Sequence, residues 1–241
     1  MKKMALVLAA VLASGMVLTA CGGSGNAAKE TTGNNTSTTT TATGGLDLAV
    51  QVGPDPETVD PALNTAIDAS NIILHAFETL LTFDENNDIV PGQAESFDVS
   101  DDGLTYTFHL RDGLKWSDGS DFTAEDFVYS WKRLADPMTA APYAADMLSM
   151  VKGYEEAAAG DIDALAVSAP DAKTLVVELA SPCVYFDKII THASMAPVKK
   201  DVVDANGDQW ALAPETYVSN GPLKMIEWVP GSHMTFAKNE N

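Results

Sequence analysis

An α/β fold is what this sequence predicts, and three stretches carry the prediction. Residues 123–137 read as a helix with both ends marked: Thr123 opens it, Phe127, Trp131 and Leu134 recur at helical spacing, and Asp136-Pro137 closes it. Residues 104–110 put Tyr106, Phe108 and Leu110 on one side of a strand, and residues 174–179 repeat the pattern with Leu175, Val177 and Leu179. No period of about 20–50 residues recurs, which excludes a repeat architecture.

The chain begins with a targeting segment, residues 1–20. Lys2 and Lys3 supply the charge, and Met4 to Leu18 is an apolar run. A membrane span needs about 20 apolar residues, so this shorter run reads as a secretory signal. Leu18-Thr19-Ala20-Cys21 is similar to a bacterial lipobox, whose cysteine becomes an acylated N-terminus. Cys21 is therefore the expected lipidation site, with a plain signal peptide and an incidental cysteine as the alternative. Two or more acyl chains would hold the protein stably on a bilayer.

Residues 21–45 form the linker. Gly22 to Gly45 is mostly Gly, Ser, Thr and Asn, a tether spanning roughly 25–30 Å as a flexible coil. The third domain is 46–241.

Within it, Leu46 to Val52 alternates and predicts a first strand, which Gly53-Pro54-Asp55-Pro56 breaks. A helix is expected from Asn71, capped by Ser70 or Asp68, with Ile73, Leu74, Phe77, Leu80 and Leu81 on one face. Asp84 to Asp88 with Glu95 imitates part of a calcium loop. Ile89 stands where that loop needs glycine for its turn, so a hairpin turn is the reading.

His109 is expected to face solvent from its strand. Asp112-Gly113 and Asp118-Gly119 are turn dipeptides leading into the Thr123 helix, where Asp126 completes a capping-box-like pair. Trp116 and Trp131 are expected in the core. Pro142 to Ala159 reads as one helix ending at Gly160, and Pro170-Asp171 as a turn before the next strand. Val184 to His192 and Lys200 to Asp204 read as short helices, the second stopped by Asn206-Gly207. Leu223 to Val229 and His233 to Ala237 form a hairpin about Pro230-Gly231.

The formal net charge is −20, which argues against nucleic acid and anionic lipid as partners, since both select Lys/Arg clusters. With 46% hydrophobic residues the chain can build a core, so wholesale disorder is excluded. Cys183 is read as a buried apolar filler. Nucleophile-elbow, zincin, P-loop and dinucleotide motifs are absent from the sequence, and the four histidines are scattered. No catalysis, metal or cofactor is expected.

Several words together give the chain a family likeness: Tyr106-Thr107-Phe108-His109-Leu110-Arg111, Lys115-Trp116-Ser117-Asp118-Gly119, Thr123-Ala124-Glu125-Asp126-Phe127, Val59-Asp60-Pro61 and Ser219-Asn220-Gly221. They resemble the extracytoplasmic solute-binding proteins of family 5, which deliver peptides to ABC importers. Leu134-Ala135-Asp136-Pro137 with Ala141-Pro142-Tyr143 is similar to the oligopeptide-binding branch. The resemblance covers residues 46–241. Members of the family are longer, so the chain resembles the N-terminal half of one.

The resemblance implies a periplasmic-binding-protein-like fold of type II, a two-lobed clamp, here mostly a first lobe of mixed sheet with flanking helices. It implies an oligopeptide ligand, partnership with a permease and its ATPase, and a monomer lipid-anchored on the extracytoplasmic face of the cell membrane. In the family the segment after the Asp-Pro word lines the cleft, which corresponds here to Thr65, Ala66 and Ile67. These three are expected either to meet a ligand backbone or to be an ordinary loop entering a helix. Tyr143 is expected either to face the ligand or to pack between the lobes. The rival readings are a relative that takes a nickel complex, haem or an oligosaccharide, and a surface lipoprotein that signals or adheres without transport.

Overall fold

Tyr106, Phe108 and Leu110 all turn into the core, while His109 turns outward to Asp98, 2.9 Å away. The computed structural model describes residues 47–241, of which Ala49–Asn241 form one compact unit. The predicted signal segment, the Leu18–Cys21 motif and the tether lie outside the described residues.

The expected first strand is not formed. Residues 47–52 pair with no neighbour among the described residues, and Leu48 and Val50 are exposed. Alternation alone does not make a strand, because its backbone groups need a partner.

The first helix, α1 (Ile67–Ala76), starts earlier than expected, with Ala66 rather than Ser70 or Asp68 at its cap. It buries Ala69, Ile72, Ile73 and Ala76, so Leu74 lies outside the apolar face. It also stops earlier, leaving Phe77 extended and Leu81 in a strand. Three bonds from far along the chain account for the stop. The Gly221 amide donates to the Ala76 carbonyl at 2.8 Å, and the Asn220 side chain pairs with the Glu78 amide and carbonyl.

β1 (Leu81–Phe83) and β2 (Ile89–Pro91) make a hairpin through the acidic turn. Its Asp84 carboxylate accepts the Asn86 and Asp88 amides at 2.8 Å each, the work of a turn aspartate. β3 (Ala94–Val99) and β4 (Thr105–Leu110) follow as an antiparallel pair.

α2 (Ala124–Ala135) matches its reading at both ends. The Asp126 carboxylate accepts the Thr123 amide at 2.8 Å, and Phe127, Trp131 and Leu134 are buried. Trp116 and Trp131 are each no more than 1% exposed.

The expected single helix 142–159 is two: α3 (Ala144–Leu148) and α4 (Tyr154–Ala158). Between them the Lys152 amide is taken by the Glu178 carbonyl, and Gly153 approaches another backbone closely. A Cβ on Gly153 would stand 1.9 Å from the Ala164 carbonyl oxygen, so no helix with side chains can run through.

β5 (Val167–Asp171) takes in the expected turn residues, and Ala172-Lys173 turns the chain into β6 (Thr174–Glu178). The sheet order is β3-β4-β6-β5, all antiparallel, with α2 packed on β5 and β6. α5 (Phe186–Ile189) is shorter than the stretch predicted for it, and His192 instead caps the 3-10 turn Ala193–Met195. α6 (Lys200–Asn206) ends at Gly207, and β7 (Leu223–Val229) with β8 (His233–Lys238) completes the hairpin. Cys183 is free and buried.

Candidate functional site

Asp60 anchors the segment that leads into the site. It is 2% exposed, and its carboxylate accepts a forked pair from Arg133 on α2, Nη1 at 3.0 Å and Nη2 at 2.6 Å. The Trp210 indole donates to the same carboxylate at 2.9 Å, and the Ala62 amide at 2.9 Å. Burial works against the Arg133 charge, but the Asp60 contacts outweigh it and raise its pKa above the ordinary value. Beside this pair Tyr217 donates to the Val59 carbonyl at 2.9 Å, and burial with the Asp60 charge pushes its phenol well above its usual pKa. Phe77, Trp210 and Tyr217 pack edge and face around these polar groups. A buried charge survives only when paired and bonded in this way.

From Asp60 the chain makes a turn, its carbonyl accepting the Leu63 and Asn64 amides. Asn64, buried at 2% exposure, then bonds forward on both sides. Its Oδ1 accepts the Ala66 amide at 2.8 Å and its Nδ2 donates to Ser70 Oγ at 2.8 Å. The Ala66 carbonyl accepts the Ser70 amide at 3.0 Å. Ala66 is extended, with φ −102° and ψ 138°.

Both Ala66 groups are thus used, whereas the amide and carbonyl of Thr65 and the amide of Ile67 have no partner among the described residues. Ile67 opens α1, so its free amide is one of the donors that a helix's first turn leaves unpaired. With the Thr65 groups it makes a short edge of open backbone groups, and all three residues are exposed. Thr65 and Ala66 also line a concavity of about 380 Å³ together with residues 54–58.

Tyr143 does not line that concavity. It stands at the start of α3, its ring edge-on to His192 with centroids 5.5 Å apart. His192 Nδ1 accepts the Ser194 amide at 3.1 Å, and burial lowers the imidazole pKa against the pull of Asp146. The 3-10 turn Ala193–Met195 in turn packs against α1. Nothing in the sequence marked His192 as more than a helix end. Asn64 did carry a signal, since Asn bonding the amide two residues on is a known turn habit.

The signature words touch one another. The Ser117 amide donates to the Ser219 carbonyl at 2.7 Å, and the Ser219 amide to the Ser117 hydroxyl at 3.1 Å. Asp118 bonds Lys199, and Arg111 bonds Glu78. Among the described residues no three His, Cys, Asp or Glu side chains converge as a metal site would require, and no helix is long and apolar enough to cross a membrane.

One α/β body, buckled internally by its signature words, carries open backbone groups beside a concavity. The chain belongs to the bacterial extracellular solute-binding proteins, family 5, whose middle-region model matches residues 88–241.

It is 38% identical over 188 residues to the probable deoxycholate-binding periplasmic protein YgiS of Escherichia coli, covering 77% of this chain and 35% of YgiS. It is 39% identical over 190 residues to the periplasmic oligopeptide-binding protein OppA of Salmonella typhimurium, covering 78% of this chain and 35% of that protein. The crystal structure of Haemophilus influenzae OppA in complex with RPPGFSPFR superposes with a TM-score of 0.75 at 37% identity, over 78% of this chain and 37% of that one. The fold is therefore part of an OppA-type periplasmic-binding architecture. The chain spans little more than a third of the length of these relatives.

Proposed function

We propose that this chain supplies part of the substrate-binding component of an ABC importer, capturing oligopeptides outside the cell membrane for delivery to a permease and its ATPase. The observation that carries this reading is the open edge at Thr65 and Ile67. A ligand that offers its own amides and carbonyls can bond to these groups through its main chain. The kinship with proteins named for oligopeptide binding supports the same class of ligand. In this reading Thr65, Ala66 and Ile67 meet the ligand backbone, and Tyr143 faces the ligand with a ring and a hydroxyl. The protein works as a monomer, by binding alone, with no bond made or broken and no cofactor.

Acylation of Cys21 would hold the component at the extracytoplasmic face, with residues 21–45 as the tether. A second reading, capture of a non-peptide solute, is favoured by the 38% identity to YgiS, named as probably deoxycholate-binding. A bile acid has no amide–carbonyl alternation to match the edge, so the peptide reading is preferred. Titration of the labelled chain with tri-alanine and with deoxycholate, each at millimolar concentration and followed by amide resonances, separates the two: shifts at Thr65–Ile67 with the peptide are expected, and shifts there with the steroid alone would overturn the reading. Intact mass of the anchored N-terminus tests the lipid, and an unmodified Cys21 would remove the anchor from the proposal.

A further inference from the structure

We infer that Asn64 is a positioning residue for ligand capture, fixing the entry to α1 in the conformation that leaves the Thr65 groups and the Ile67 amide open. This rests on the proposed reading of those groups. The segment is exposed and lies between a turn and a helix, where backbone would ordinarily wander.

Asn64 prevents this with a closed ring of bonds. Its Oδ1 takes the Ala66 amide, its Nδ2 reaches Ser70 Oγ, and the Ser70 amide returns to the Ala66 carbonyl. The ring satisfies both Ala66 groups. The Thr65 groups and the Ile67 amide are left open. Asn64 can do this because its own backbone is held: its amide bonds the Asp60 carbonyl at 3.0 Å, and Asp60 is locked to Arg133.

Only a side chain with an acceptor in that position can hold the Ala66 amide. Aspartate keeps the acceptor, and the Ser70 hydroxyl can turn to donate to it. Alanine loses both bonds. Because Ala66 is exposed, water can replace Asn64 at its amide. The loss then appears when a ligand must order the segment, more than in the stability of the fold.

The test uses the isotopically labelled full chain, with tri-alanine as a main-chain-only probe at millimolar concentration. In the unaltered chain the Thr65 and Ile67 amide resonances are expected to shift with tri-alanine, and the Ala66 amide to exchange slowly with solvent. Asn64→Ala should speed Ala66 exchange and raise the tri-alanine midpoint about tenfold, roughly the cost of ordering one residue at binding. Its melting temperature should be unchanged, and Asn64→Asp should restore both readouts. Slow Ala66 exchange persisting in Asn64→Ala, or an affinity loss that Asn64→Asp does not recover, would overturn the inference. Absence of any Thr65 or Ile67 response in the unaltered chain would instead defeat the reading of the edge as a ligand site, and Ala66 exchange in the two variants would still decide what Asn64 does.

Discussion

Asp60 and Arg133, 73 residues apart in the chain, meet as a forked ion pair in which the carboxylate is almost wholly buried and the guanidinium nearly so. The pair ties the segment leading into the candidate site to the face of α2. Its geometry uses both oxygens of one partner and two nitrogens of the other, which a lysine could not reproduce.

Removing one partner alone should be severe, because it leaves a buried charge without compensation. Arg133→Ala is expected to cost about 3–5 kcal/mol in urea denaturation. In a double-mutant cycle with Asp60→Ala the two losses should be far from additive, the second substitution costing much less than the first. Additive losses would mean that the two side chains act independently.

Gly221→Ala tests the buckle at the end of α1. The new Cβ would stand 2.6 Å from the Ala76 carbonyl oxygen, so backbone must move, and overpacking of this kind costs about 1–3 kcal/mol. A fall in denaturation midpoint of that size is expected. A neutral substitution would show that the Gly221 to Ala76 contact is not held in solution.

Acid should loosen the chain in part through Asp118. Burial pushes its pKa up, but bonds from Lys199 and Ser120 outweigh that and hold it at about 2, below the ordinary 3.8. A depressed folded-state pKa means the stabilisation is full above pH 3.8 and is lost as pH falls toward 2. The Asp118 side chain is 37% exposed, so the contribution, discounted for solvent screening, is about 1 kcal/mol. Asp118→Asn should therefore lower stability at pH 7 and flatten its fall between pH 4 and 2. Parallel pH profiles for the two proteins would count against this account.

The chain alone should bind peptide weakly, since an edge and one concavity enclose little of a ligand. Isothermal calorimetry with short peptides is expected to give no saturable heat in the low-micromolar range. Saturation there would show that this part of the architecture suffices for capture.

Much of the fold could be read from the chain itself, for identifiable reasons. Helix α2 announces both ends through Thr123, Asp126 and Asp136-Pro137, and its apolar stripe buries as spaced. β4 and β6 declare themselves by alternation. The failures occur where distant backbone decides. Periodicity carried α1 on to Leu81, but Asn220 and Gly221 take the chain out of helix at Ala76. The run 46–52 alternates well, yet residues 47–52 find no strand beside them. At the candidate site, the family words pointed to Thr65–Ile67 and Tyr143. Which backbone groups are open, and that His192 sits against Tyr143, depends on bonds spanning a turn and a helix start that spacing does not encode.

The long reach of the Asp60 contacts has a consequence for how the molecule acquires its shape. Val59 and Asp60 receive their bonds from Tyr217 and Trp210 across 158 and 150 residues. A chain emerging from the ribosome can assemble the sheet and α2 from nearby partners, but the aromatic lid over the Asp60 carboxylate must wait until Tyr217 is out. Contacts of such separation close late and slowly because so much loop entropy is lost first. The aromatic cover over Asp60 is therefore among the last parts to set, so a nascent chain short of residue 217 would already have its sheet while that carboxylate lacked its lid.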